Sequence, residues 1–148
     1  MFSRKIASTL SILFALAMMS GCAVNRASAT LTPGTDLTAL KTAYVVKHDK
    51  DNHNINEIIK AKLESKGYKV TTGPEMPAPY AADMSVTYVD KWMWDITMYM
   101  LELTINFRDP KNNFPLATGN SLHTSLTRKS PDEMVEEVLS NIQSAPKK

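Results

Sequence analysis

Cysteine is almost absent from this 148-residue chain. Cys22 is its only thiol, so no internal disulfide can form and packing alone must hold the fold. Long apolar runs are missing too: residues 6–19 (IASTLSILFALAMM) carry no charge but fall short of the roughly twenty apolar residues that cross a bilayer as a helix. An excess of one charge is also lacking, with 17 Lys and Arg against 15 Asp and Glu. Once Arg4 and Lys5 are set aside the remainder is formally neutral, which leaves no electrostatic footprint for nucleic acid or for an anionic membrane surface. The signatures of common catalytic sites are missing as well. There is no Gly-x-Ser-x-Gly elbow, no phosphate-binding glycine-rich loop and no His-Glu-x-x-His zinc helix. The chain is therefore expected not to be an enzyme, with no catalytic residues and no dissociable cofactor.

What is present begins at the N-terminus. Arg4 and Lys5 form a positive n-region, the uncharged run follows, and Ser20 and Gly21 lead directly to Cys22. This is the anatomy of a secretory signal. Met19-Ser20-Gly21-Cys22 resembles the bacterial lipobox, with methionine where leucine is commoner. The resemblance implies cleavage after Gly21, a diacylglyceryl group on the Cys22 thiol and a third acyl chain on its freed amino group. One acyl chain anchors only marginally, whereas the three implied here hold almost permanently. Ala23, rather than aspartate, follows Cys22, which by the usual sorting logic of Gram-negative bacteria favours the outer membrane, with the domain on the periplasmic side.

The expected organisation is a signal peptide over residues 1–21, a lipidated cysteine and flexible tether over 22–41, and an α/β domain over 42–148. Small and polar residues with Pro33-Gly34 mark the tether. If extended, residues 23–38 would lift the domain about 50 Å from the lipid.

Within the domain, Ala43-Tyr44-Val45-Val46 reads as a strand. Asn54 with Glu57 has the logic of a capping box, and Ile55, Ile58, Ile59 and Leu63 mark one helix face that Gly67 should end as a left-handed C′ residue. Residues 68–72 alternate as a second strand, parallel to the first, and the proline-rich stretch 73–82 reads as a loop. Met84, Val86 and Tyr88 alternate with polar neighbours in the next strand. Tyr99, Leu101, Leu103, Ile105 and Phe107 share one parity, placed in the core. A turn at 109–113 leads to a returning strand over 116–124, where Ala117, Gly119 and Ser121 are small enough to let a helix approach. Ser130-Pro131-Asp132-Glu133 opens a final helix with the apolar stripe Met134, Val135, Val138, Leu139 and Ile142. The fold class is α+β: one mixed sheet in β-α-β-β-β-β-α order with both helices on one face.

Tyr44-Val45-Val46, the helix end Lys66-Gly67-Tyr68, Ala82-Asp83 before a strand, and Trp92-Met93-Trp94-Asp95 ahead of a long strand together resemble a group of small proteobacterial outer-membrane lipoproteins. That group is similar in plan to the α/β modules of envelope-assembly lipoproteins. The resemblance implies a fold and a place in the cell envelope, and it assigns no reaction.

Candidate chemistry is sparse. His48 and His53, with Asp49 and Asp51 between them, superficially resemble a metal loop, but no further ligand lies nearby in sequence and a site needs three or four. Asp83, Asp90 and Asp95 surround one strand and read as strand and turn residues. The unusual segment is 90–100, which holds both tryptophans and three methionines. Trp92, Trp94, Ile96, Met98 and Met100 form a candidate interaction patch, with Ile96, Met98 and Met100 expected to point away from the core face. The leading expectation is an interaction or assembly module, anchored to the membrane by lipid, that holds a protein partner or its own copy. The alternative is a periplasmic Cu(I) binder using Met98, Met100, Trp94 and His123.

Overall fold

The computed structural model describes residues 24–146. The signal peptide, Cys22 and Ala23 lie outside the described residues. Six strands, β1 (Asn25–Leu31), β2 (Thr42–Lys47), β3 (Lys69–Pro74), β4 (Met84–Asp95), β5 (Thr97–Arg108) and β6 (Pro115–His123), form one mixed sheet. Its spatial order is β1-β6-β5-β4-β2-β3. Helices α1 (Ile55–Ser65) and α2 (Pro131–Ser144) pack on the same face. The α+β class with one mixed sheet is as the periodicities predict, and β2 and β3, joined through α1, are parallel neighbours as expected.

A single core explains the helix placement. Ile55, Ile59 and Leu63 of α1 and the whole predicted stripe of α2 join Val45, Val86, Leu103, Ile105 and Phe107 from the sheet in one buried cluster. Gly119 on β6 permits the close approach of α2. A Cβ there would lie 2.7 Å from Val138 Cγ1 and 2.9 Å from Ile142 Cγ1. The Ser130/Glu133 capping box with Pro131 in the first turn is present as predicted. Gly67 ends α1 at φ +93°, its N–H donating to Glu64 O while the Tyr68 N–H donates to Leu63 O, the two bonds of a Schellman motif.

Three expectations need correction. Residues 25–31 are not tether but strand β1, paired antiparallel with β6 from Asn25↔His123 to Leu31↔Ala117. The ladder and the packing of Ala29 and Leu31 on the core compensate for a sequence poor in strand formers. Asn54 stands before α1 but makes no side-chain cap, since it sits in the left-handed region at φ +56°. The Asp51 carboxylate caps instead, accepting the N–H of Ile55 and Asn56, both at 3.1 Å.

The third correction concerns the β4–β5 hairpin. Lys91 lies opposite Glu102 but Trp92 opposite Met100, so Leu101 is an extra residue with no partner on β4. Such a bulge reverses the parity beyond it. Leu103, Ile105 and Phe107 are core as predicted, but the next core residue is Met100, which is 1% exposed, and Leu101 is only half-buried.

Candidate functional site

The hairpin runs past the bulge to a tip at Ile96, between the last pair, Asp95 and Thr97. Ile96 adopts φ +61°, a region that a β-branched side chain rarely enters, and it is 85% exposed. Trp94, opposite Met98, keeps the parity of the helix-covered residues Met84, Val86 and Tyr88, yet it is 69% exposed, and Met98 is exposed as well. The helices stop short of this end. Met93 is also exposed, so apolar side chains emerge on both faces of the tip.

Arg128, in the β6–α2 connection, fixes the tip. Its Nη1 donates to Thr97 Oγ1 at 2.7 Å, its Nη2 approaches Asp95 O at 3.4 Å, and its guanidinium lies 4.8 Å from the Tyr99 ring centre. Two further bonds to Ser125, from Nε to the carbonyl and from Nη2 to Oγ, tie the turn Ser125–Thr127 to the hairpin. That turn carries Leu126, 86% exposed, beside the tip. Of the five residues predicted as a patch, Trp94, Ile96 and Met98 are exposed together. Met100 belongs to the core, and Trp92 is partly buried against it. Sequence reasoning missed Leu126 and Arg128, because nothing local marks a residue that is brought to the tip by β6.

At the base of the hairpin the β2–α1 loop meets β4. Both oxygens of Asp90 are engaged: Oδ1 faces His48 Nε2 at 3.0 Å and Oδ2 accepts Trp92 Nε1–H at 2.6 Å. His53 stacks on Trp92 with ring centres 3.7 Å apart. Asp51, buried, accepts the Tyr88 hydroxyl at 2.6 Å and the His53 N–H in addition to its two helix N–H groups. Burial alone would raise the Asp51 carboxyl, but the Tyr88 hydroxyl and the three N–H groups outweigh it and hold the carboxyl below its usual range. Burial first, then the facing carboxylate, pushes the Tyr88 phenol far up. Asp83 likewise accepts the N–H of Lys41 and Thr42, at 2.8 and 2.9 Å. These carboxylates anchor strands and a helix start. The structure does bring His48, His53 and Asp90 around Trp92, but among the described residues no group of three or more His, Cys, Asp or Glu is arranged to hold a metal ion.

His123 is buried at the end of β6 and faces α2, its Nε2 2.8 Å from Glu137 Oε2. Ser121 Oγ and Lys129 Nζ donate to the same carboxylate at 2.5 and 2.6 Å. Burial opposes its ionisation, yet Lys129, Ser121 and His123 together hold Glu137 down at about 2. The four side chains of the soft-metal alternative are thus divided: Trp94 and Met98 are exposed, whereas Met100 is in the core and His123 is committed to Glu137. A cleft of about 530 Å³ separates the proline-rich loop from the sheet, lined by His48, Glu75, Tyr80, Arg108 and Asn113 among others. Arg108 spends Nη1 there on the Asn113 carbonyl at 3.3 Å.

No family model and no curated protein sequence matches the chain. Among solved structures, the PelC dodecamer from Paraburkholderia phytofirmans is similar with a TM-score of 0.60 and 16% identity, over 83% of this chain and 100% of the PelC chain. A single-substitution variant of that dodecamer in another crystal form gives 0.58 and 17%, over the same shares. TolB from Acinetobacter baumannii gives 0.45 and 14%, over 80% of this chain and 31% of TolB. What the chain shares with PelC, over the whole length of the PelC chain, is a fold.

Proposed function

We propose that this chain is a non-enzymatic, lipid-anchored protein of the bacterial cell envelope, held at the outer membrane through Cys22 on its periplasmic side and acting as an interaction or assembly module. The observation that carries this reading is the projecting end of the β4–β5 hairpin, where Trp94, Ile96 and Met98 are presented to the surroundings. A domain that needed these residues only for stability would bury them, and tryptophan and methionine are enriched at contact surfaces. Ile96 at positive φ adds to this, because glycine or asparagine would fit the turn with less strain. Signal anatomy and the lipobox-like Met19-Ser20-Gly21-Cys22 support export and anchoring. A fold common to a protein that forms a dodecamer supports assembly among copies as one use of the module.

A photo-reactive residue at position 94, irradiated in growing cells, tests the contact surface. The reading expects light-dependent cross-links to an envelope component, with none from the same group at position 104 on the polar sheet face. Equal, diffuse labelling from both positions would contradict it.

A further inference from the structure

The start of β1 says what covers the apolar end. β1 starts at Asn25, which pairs with His123 at the end of β6, and the Thr127 hydroxyl bonds to the Asn25 side chain. β5 begins at Thr97 and β4 ends at Asp95, at the same end of the sheet, where Arg128 links them to Ser125. The start of β1, the turn carrying Leu126 and the tip carrying Trp94, Ile96 and Met98 therefore share one end of the molecule. Only Ala23 and Val24 separate Cys22 from Asn25, and three Cα–Cα steps reach at most about 11 Å. The long tether predicted from composition does not exist between the anchor and this end, because β1 has absorbed it.

We infer that this end is a second membrane contact: with Cys22 acylated, the Ile96 tip, Trp94, Met98 and Leu126 seat in the surface of the same bilayer that holds the lipid. The inference rests on the reading of Cys22 as lipid-bearing, and it names the bilayer, in place of a protein, as what the tip itself contacts, leaving the rest of the domain to any partner. An anchor within 11 Å of the sheet end leaves no room to lift these side chains clear of the headgroups. Their chemistry suits that depth. Tryptophan belongs at the membrane interface, where its ring is apolar and its N–H remains hydrated, while isoleucine, leucine and methionine go deeper. Val24, just before β1 and also exposed, extends the apolar surface toward the anchor. Arg128 bonds only neutral acceptors, with no carboxylate in ion-pair distance among the described residues, so its charge is available to a lipid phosphate. Apart from Arg128, contact is made by shape and apolarity, in keeping with a neutral mature chain. The two-point attachment sets the strands upright on the membrane and directs the β3–β4 loop and the cleft away from it.

Quenching of Trp94 by lipid tests this. The acylated protein, purified from membranes, is reconstituted into phosphatidylethanolamine and phosphatidylglycerol vesicles with plain or brominated acyl chains. The difference in emission between wild type and Trp94→Phe isolates Trp94 and leaves the partly buried Trp92 in place. Trp94 should shift to the blue on reconstitution, lose most of its emission to the brominated chains and become shielded from acrylamide. Unchanged emission that acrylamide still quenches fully overturns the inference, even if a protein covers Trp94 in cells. The mass of the same sample separates the two failures. Acylated Cys22 with a water-exposed Trp94 refutes the seating alone, whereas unmodified Cys22 refutes the reading beneath it as well.

Discussion

Met100 lies opposite Trp92 across the β4–β5 ladder, although the neighbouring Lys91 lies opposite Glu102. The uncounted residue between them, Leu101, turns Met100 into the core and leaves the hairpin to continue beyond the helices. Met98 and Met100 thereby have opposite roles despite sharing a strand and a parity. Met100→Ala should destabilise the domain by about 2–5 kcal/mol, as expected for a large core side chain, whereas Met98→Ala should stay within about 0.5 kcal/mol. Urea midpoints with a constant m-value check this. Equal losses would place the bulge elsewhere.

Gly67 and Gly119 resist substitution for different reasons, and the difference is measurable. Gly67 has open space around its missing Cβ but a φ of +93°, so Gly67→Val should cost about 1 kcal/mol or more through the backbone alone. Gly119 is blocked by Val138 and Ile142, so even Gly119→Ala should cost about 1–3 kcal/mol through displaced helix α2. Gly67→Asn, which tolerates the left-handed region, should recover much of the first loss, and Gly119→Asn should recover none. Thermal midpoints of the four variants decide it.

Sequence periodicity located both helices and most strands because their buried faces are written in large apolar residues, while β6, whose buried face is Ala117, Gly119, Ser121 and His123, is marked by the turn at 109–113 before it. β1 escaped because only Ala29 and Leu31 reach the core and the rest of the segment is small and polar with little strand preference, so the pairing partner β6 supplies what the segment lacks. The bulge escaped for another reason. Tyr99, Leu101 and Leu103 continue an unbroken alternation, and only the partner strand reveals that one residue has no counterpart. The Trp and Met composition singled out Trp94, Ile96 and Met98, which the fold leaves exposed together. It could not mark Leu126 and Arg128, which reach the tip only through tertiary structure. Nor could it show that β1 begins beside that tip, the fact that fixes the domain's distance from Cys22.

Glu137 gives the domain a predictable acid sensitivity. Its folded-state value of about 2 lies below the ordinary glutamate value, so its ionised form stabilises the native state fully above pH 4.5. That stabilisation, up to about 3 kcal/mol, is lost as the pH falls from 4.5 toward 2. Glu137→Gln should remove this part of the dependence, giving a shallower decline in urea stability over the same window. Parallel curves for wild type and variant would show that Lys129, Ser121 and His123 do not favour the charged carboxylate.

The most direct measurement of the central claim is the mass of the N-terminal tryptic peptide, residues 22–26, from protein taken from cell membranes. The account predicts a peptide beginning at Cys22, with a thioether-linked diacylglyceryl group and an amide-linked acyl chain, all lost together with processing in Cys22→Ser. A Cys22 peptide beginning at Ile6, the tryptic product of an unprocessed chain, or an unmodified Cys22, would contradict the account at its foundation.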